Sequence, residues 1–550
     1  MRHLPQGRNC TLGGAKIQPK NRQKCRYNGL TGNYQAIWGT LGTKAALRLR
    51  CTCHRIAPLL SPMNQRRPSL QRKHYRWSLR HFAHALALGS VIQLAAVSSV
   101  ADNLPDIGEP ADQYLSPQKE ALIGSAFLHQ AEQQNGILHD PEIRTYLQSL
   151  GARVSSGVGQ QHFHFFLVKN DRINAFAVPG GYVGIHAGLM LATRNESELA
   201  GVVAHEIAHI TQRHIARFYA QSANTNMASI GAILAGLALA MSGSGSGAAA
   251  VMMAGTAASY QGMINHTRSH EKEADRIGIQ YLAKAGFDPK GLASFFEVMQ
   301  NRSLELDKRF EILRTHPLDA NRIAEAQART AQMPSPQALP DDRNYQLAKA
   351  RLVVLAGDNR ELLSYFRDKS QGPLKPIERY TLAQLLTQNG NYASAQKHLD
   401  TLLEQHSGEL AFQLAQVRLD NAQKRYQSAL KRLETLHQLY PQYSTVVDYM
   451  VTTLRHTQNF EAITDLLDSR YDSGVKDWPP QWLHSYAEAL KAQQLQARSQ
   501  LALGEYYIAT ARYRAAGLQI EEALDSKELG RQLSERAERA LQSIEALKKL

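Results

Sequence analysis

The chain has 550 residues, enough for about two to four domains and a well-buried core, so size excludes no class of enzyme. Its 63 Lys and Arg against 48 Asp and Glu give a net charge of +15, yet seventeen of the basic residues fall in 1–101, which holds no acid, leaving 46 basic against 48 acidic residues beyond it. A near-neutral body lacks the cationic face that binding to a phosphate backbone requires, so nucleic acid is excluded as a partner.

Residues 1–62 show no hydrophobic periodicity and read as an upstream extension ahead of a start at Met63. From there MNQRRPSLQRKHYRWSLRH is basic and precedes an apolar run from Phe82 to Val100. Over 63–101 this is the pattern of a secretory signal, ending in the small residues Ser99, Val100 and Ala101. Cleavage is expected near Ala101, so that the mature chain begins near Asp102. The alternative is a retained anchor, since the run is near the minimum length of a span; His84 and Gln93 interrupt it. Cys10, Cys25, Cys51 and Cys53 all precede Met63, so the mature chain has no disulfide framework and no thiol for catalysis. The Cys51, Cys53 and His54 cluster is too tightly spaced for a zinc knuckle.

From 102 to 330 strand-like runs, HFHFFLV (162–168) and GYVGIHAG (181–188), alternate with amphipathic helical stretches. Pro179, Gly180 and Gly181 predict a tight turn before an alternating strand. Two readings of that strand stay open. Tyr182, Val183, Gly184 and Ile185 form an edge that pairs with an extended substrate backbone, or the segment is a plain core hairpin. His186 is read as structural.

The segment VVAHEIAHI (202–210) places His205 and His209 four residues apart, on one face of a helix that Val202, Val203, Ile207 and Ile210 allow to be buried. This is the spacing of two zinc ligands, with Glu206 between them as general base. Catalytic zinc keeps three protein ligands and one position for water, so a third ligand is required. TRSHEKEADRIG (267–278) supplies it. Glu271 and Asp275 lie one turn apart on one face, with Glu273 on the opposite side. Glu271 is chosen as ligand and Asp275 as the carboxylate that orients a ligating imidazole through its free N–H. Glu273 is the fallback, and His270 is placed at the surface. One zinc per chain is expected. Between the motifs, the insert 228–255 has apolar runs of about 14 and 12 residues, too short to span a bilayer. It reads equally as a lid or membrane-surface contact and as a buried helical hairpin.

At 331–342, AQMPSPQALPDD has the composition of a linker. Beyond it Tyr392, Tyr426 and Phe460 recur at 34-residue intervals, followed at a fixed offset by Ala395, Ala429 and Ile463. A further unit runs through Leu503, Gly504, Tyr507, Tyr513 and Ala516, out of phase after a Trp- and Pro-containing insertion at 478–482. The period is that of tetratricopeptide-type helical hairpins, which stack into a solenoid whose concave face binds segments of other proteins. The expected fold is mainly α (α+β): a zincin-like helical metallopeptidase domain with a small β-sheet over 102–330, a linker over 331–342 and a helical repeat domain over 343–550.

Three segments, NAFAVPGGYVGIHAGL (174–189), VVAHEIAHITQRH (202–214) and TRSHEKEADRIG (267–278), together resemble the zinc metallopeptidase family that includes the HtpX protease and the CAAX prenyl protease. LRTHPLDANRI (313–323) is similar to an exported subgroup with a tetratricopeptide tail. The similarity covers 114–330 strongly and the repeats loosely, and leaves 1–101 outside. Arg268, Glu271 and Asp275 fall on the family's pattern for the glutamate ligand. The subgroup resemblance implies that His316 is a fourth ligand, occupying the water position and silencing the enzyme. It also implies a site in the periplasm of a Gram-negative bacterium. The implied task is degradation of misfolded or stalled outer-membrane proteins and help in their assembly, with those proteins and their assembly machinery held by the repeats. A rival is a periplasmic chaperone or adaptor with latent or minor proteolysis, which deletion of 343–550 is expected to distinguish. A third is a zinc hydrolase acting on a non-peptide bond.

Overall fold

The structure is a computed structural model that describes residues 115–158, 161–221, 257–303, 312–334, 336, 341–370, 372–474, 478–510 and 512–548. The upstream extension, the signal segment with its cleavage point, the four cysteines, the insert 228–255 and part of 331–342 lie outside the described residues. No described helix is long and apolar enough to cross a membrane.

Helices α1 (Pro117–Gln133) and α2 (Pro141–Ser155) start alike. A proline stands in the first turn, where its missing N–H is no loss, and the preceding Ser116 or Asp140 accepts from the backbone N–H of Lys119 or Ile143. Strands β1 (His164–Val168), β2 (Ala175–Val178) and β3 (Tyr182–His186) form a sheet in the order β1-β3-β2. Gly180 and Gly181, with φ of 84° and 91°, turn β2 into β3, a conformation that glycine adopts without steric penalty. The strand offered as a substrate edge, Tyr182 to Ile185, is therefore the centre of the sheet. It is parallel to β1 on one side and antiparallel to β2 on the other, so Tyr182, Val183, Gly184 and Ile185 have no free backbone edge for a substrate. Val183 and Ile185 are buried completely.

Among the described residues seven helices complete this part: α3 (Ala187–Ala192), α4 (Glu196–Thr211), α5 (His214–Gln221), α6 (Ala257–Lys284), α7 (Gly291–Ser303), α8 (Ile312–Thr315) and α9 (Ala320–Ala331). Asn195 caps α4 by accepting from Glu198 N, and every residue from Glu198 to Ala208 is buried. Around it Leu147, Leu150, Val183, Ile185, Ile279, Leu282 and Phe295 form one core. Helix α6 touches α4 backbone to backbone. A Cβ on Gly278 would stand 3.0 Å from the amide nitrogen of His205 and 3.1 Å from the carbonyl of Ala204. That close approach fixes the distance between the two motif-bearing helices at the turn that carries His205.

The remainder is helical: α10 (Arg343–Ala356), α11 (Asn359–Lys369), α12 (Pro376–Gln388), α13 (Tyr392–Gln405), α14 (Leu410–Ala422), α15 (Tyr426–Leu439), α16 (Ser444–His456), α17 (Phe460–Asp472), α18 (Pro480–Ala492), α19 (Gln496–Ala509), α20 (Tyr513–Asp525) and α21 (Arg531–Lys548). The 34-residue period is a structural one. Tyr392, Tyr426 and Phe460 each begin a helix, and Ala395, Ala429 and Ile463, one turn on, are fully buried. Trp478 and Trp482 of the insertion pack with Tyr471 and Tyr486 where the spacing lengthens. The out-of-phase unit is the hairpin α19–α20, closed where Gly504 leaves room for Ile520.

Helix α10 adds Tyr345, Ala348 and Leu352 to the core that surrounds α4, and the Tyr345 hydroxyl donates to the Thr193 carbonyl at 2.7 Å. Deleting 343–550 would strip that core, so truncation does not separate peptidase from repeat function. Further repeat helices grip the first turn of α2. Glu142 meets Arg418 and accepts from the hydroxyls of Tyr449 at 2.7 Å and Tyr380 at 3.3 Å. Asp140 pairs with Arg351 at 2.9 Å, and Arg144 pairs with Asp448. Acids at a helix N-terminus are also favoured by its dipole. Glu142→Ala leaves the Arg418 guanidinium buried without its carboxylate, a loss of about 3–5 kcal/mol. A urea-unfolding midpoint equal to wild type would contradict this.

Candidate metal centre

Helix α4 presents His205 and His209 one turn apart, with their Nε2 atoms 3.0 Å from each other. Helix α6 brings Glu271 against them, Oε2 at 3.4 Å from His205 Nε2 and Oε1 at 3.4 Å from His209 Nε2. His316 follows α8, its backbone N–H donating to Ile312 O. Its Nδ1 lies 3.4 Å from His205 Nε2 and 3.0 Å from Glu271 Oε1. One donor atom from each of these four residues lies within 4.8 Å of the other three. Bonds of about 2.0–2.2 Å to a tetrahedral ion set neighbouring donors about 3.3–3.6 Å apart, close to the spacing observed.

Charge points the same way. Glu206, Glu271 and Asp275 are 1%, 2% and 6% exposed, and against them stands Arg322. Three buried carboxylates beside one guanidinium leave an excess that a divalent cation neutralises. Burial alone would pull His205 down, but Asp275 and Glu271 outweigh it and push the imidazole up to about 10. Burial likewise opposes the rise of His316, which Glu271 and Glu206 raise. Burial pushes Glu271 up, yet His316 and His209 hold it well below the usual carboxylate range. This is the potential of a cation site. Both oxygens of Glu206 are buried without a hydrogen bond among the described residues, the nearest base being His316 Nε2 at 3.6 Å. Beside His205 and His316 lies a cavity of about 20 Å³ walled by Phe295, Phe296, Met299 and Leu318, room for a single water and not for a peptide.

Asp275 Oδ1 lies 3.0 Å from His205 Nδ1, on the face that helix spacing predicts. Glu273, two residues from Glu271, points away from the four donors and pairs with His214 and Arg217. His270 is a correction: it is 7% exposed rather than at the surface, because its ring stacks on His214 with centroids 4.3 Å apart. His186 stands outside the donor group; burial pushes it down to about 4, so it is neutral in the core.

Sequence reasoning missed two residues. Arg322 donates to both oxygens of Asp275 at 2.8 Å, lies 2.9 Å from Glu271 Oε2, and donates to Pro317 O at 2.8 Å. Asking what neutralises three motif carboxylates would have pointed to it, six residues after His316. His214 was quoted within its motif but given no role. Helix α4 ends at Thr211, and Arg213, at φ 50°, turns the chain so that His214 Nδ1 comes 3.0 Å from His209 Nδ1. No helical period could show that.

Residues 138–330 match the model of Peptidase family M48. The Beta-barrel assembly-enhancing protease of Escherichia coli O157:H7 is 35% identical over 428 residues, 76% of this chain and 86% of that protein. The chain belongs to peptidase family M48. This M48 member is also 38% identical over 309 residues to the Putative beta-barrel assembly-enhancing protease of Vibrio cholerae, covering 55% of this chain and 63% of that protein. Mitochondrial metalloendopeptidase OMA1 of Schizosaccharomyces pombe is 29% identical over 168 residues, 30% of this chain and 47% of the other. With this membership the donor cluster belongs to a metallopeptidase.

Proposed function

We propose that the chain is an exported zinc endopeptidase of the Gram-negative periplasm that degrades misfolded or stalled outer-membrane proteins and assists their assembly. The convergence of His205, His209, Glu271 and His316 within 4.8 Å, with Glu206 behind them, carries the reading. Similarity to relatives named beta-barrel assembly-enhancing protease supports the link to outer-membrane proteins. In this reading 102–330 is the peptidase, 331–342 the linker and 343–550 the repeat domain that engages outer-membrane proteins and their assembly machinery.

His205, His209 and Glu271 would hold the zinc, with Asp275 orienting His205. When bound, zinc supplies a Lewis acid and lowers the pKa of a water from about 15.7 to about 7. Glu206, a carboxylate beside the centre that makes no hydrogen bond among the described residues, accepts the proton of the attacking water and hands it to the leaving amine. His316, whose Nδ1 lies 3.0 Å from Glu271 Oε1, would be a fourth ligand through Nδ1 and would hold the enzyme latent.

A second reading is a chaperone or adaptor whose proteolysis is minor. Active-site variants of the full chain distinguish the two. His316→Ala is expected to raise cleavage of an unfolded outer-membrane protein about tenfold or more, in a chelator-sensitive manner, by restoring the open position. Gel-based cleavage assays read this directly. No change, or a loss, would leave the chaperone reading in possession.

A further inference from the structure

Each imidazole of the motif pair turns its second nitrogen toward a partner. For His205 that partner is Asp275, Nδ1 to Oδ1 at 3.0 Å. For His209 it is another imidazole. Its Nδ1 lies 3.0 Å from Nδ1 of His214, whose Nε2 lies 3.1 Å from Oε2 of Glu273. The same Glu273 oxygen accepts from Arg217 at 2.9 Å.

With both rings neutral, one arrangement of protons satisfies this chain. A carboxylate only accepts, so Nε2 of His214 carries a hydrogen and donates to Glu273. A neutral ring protonated there has a bare Nδ1, which accepts. His209 must then carry its hydrogen on Nδ1 and leave Nε2 bare, the form that binds a metal. His214 is 3% exposed and lies flat against His270, interplanar angle 7°, so its ring has little freedom to turn.

We propose that His214 is a positioning residue, which together with Glu273 and Arg217 forms a relay holding His209 in its metal-binding tautomer. The proposal rests on the zinc reading above and extends it outward. The two ligands are anchored differently. His205 meets a buried carboxylate directly, whereas His209 meets one through an intervening ring. That spacing lets Glu273 stand at the surface, its side chain 25% exposed beside Arg217, and fix the direction of the hydrogen bonds without adding a fourth buried carboxylate to Glu206, Glu271 and Asp275. It also gives Glu273 a task that its position opposite Glu271 would otherwise leave unexplained.

The test is the zinc affinity of the full chain near neutral pH, measured by competition with a chromogenic chelator. Binding by wild type and its loss in His205→Ala establish the centre; if wild type takes up no zinc, the zinc reading itself has failed. His214→Leu fills the volume but neither donates nor accepts, and its dissociation constant is expected to rise about 10–100-fold. His214→Gln presents an oxygen to His209 and an N–H to Glu273, and is expected to recover to within about threefold of wild type. Equal affinity of His214→Leu and wild type, or equal weakening in the Leu and Gln variants, overturns the relay. Should His214→Leu not fold, the part-exposed Glu273 decides. Glu273→Leu is expected to bind more weakly than Glu273→Gln, and identical affinities refute the proposal.

Discussion

Glu206→Gln is expected to lose cleavage by a factor of about 10²–10⁴ while still binding zinc. The amide has the shape of the carboxylate but cannot take a proton from water. Glu206 makes no hydrogen bond among the described residues, so the change breaks none and weakens only the 3.6 Å approach of His316 Nε2. It also removes a buried carboxylate whose partner is His316 Nε2 at 3.6 Å, and where His316→Ala has already taken that partner away the variant is expected to be at least as stable as its parent. Because His316 faces the same centre, the comparison is sharpest in the His316→Ala background. There, undiminished cleavage by the double variant would sink the assignment of Glu206 as base.

Arg322→Leu is expected to produce the largest loss of stability in the peptidase part. Arg322 is 3% exposed and holds two buried carboxylates, both oxygens of Asp275 and one of Glu271. Removing it strands them, at about 3–5 kcal/mol. It also unties Pro317 O, the carbonyl beside His316, so the segment that carries His316 loses its tether. Zinc affinity is expected to fall about 10–100-fold, because Asp275 then orients His205 without support. Arg322→Lys keeps the charge but not the planar fork that matches Asp275, and should restore only part of the stability. Urea unfolding and chelator competition read the two effects. A Leu variant within about 1 kcal/mol of wild type would show that the guanidinium does not neutralise this cluster.

What could be read in the sequence was local. His205 and His209 are one helical turn apart, and so are Glu271 and Asp275, because a spacing of four on a helix decides which side chains share a face. Gly278, inside the second motif, is the contact that lets the two helices meet. The repeats were legible for the same reason: Tyr392, Tyr426 and Phe460 mark helix starts in a unit of fixed length. What escaped was set by packing between distant segments. The parallel pairing of β1 with β3 turned an expected edge into a centre strand. Arg322 reaches Asp275 from 47 residues away. His214 faces His209 only because Arg213 breaks the helical path between them. Helix α10 joins the core of the peptidase although a proline-rich stretch separates them in sequence.

The most direct test of the proposed centre is anomalous diffraction at the zinc absorption edge from zinc-loaded crystals of the full chain. One peak per chain is expected, about 2.0–2.2 Å from Nε2 of His205, Nε2 of His209, an oxygen of Glu271 and Nδ1 of His316. A peak ligated by Glu273 in place of Glu271, or no peak between α4 and α6, would contradict it.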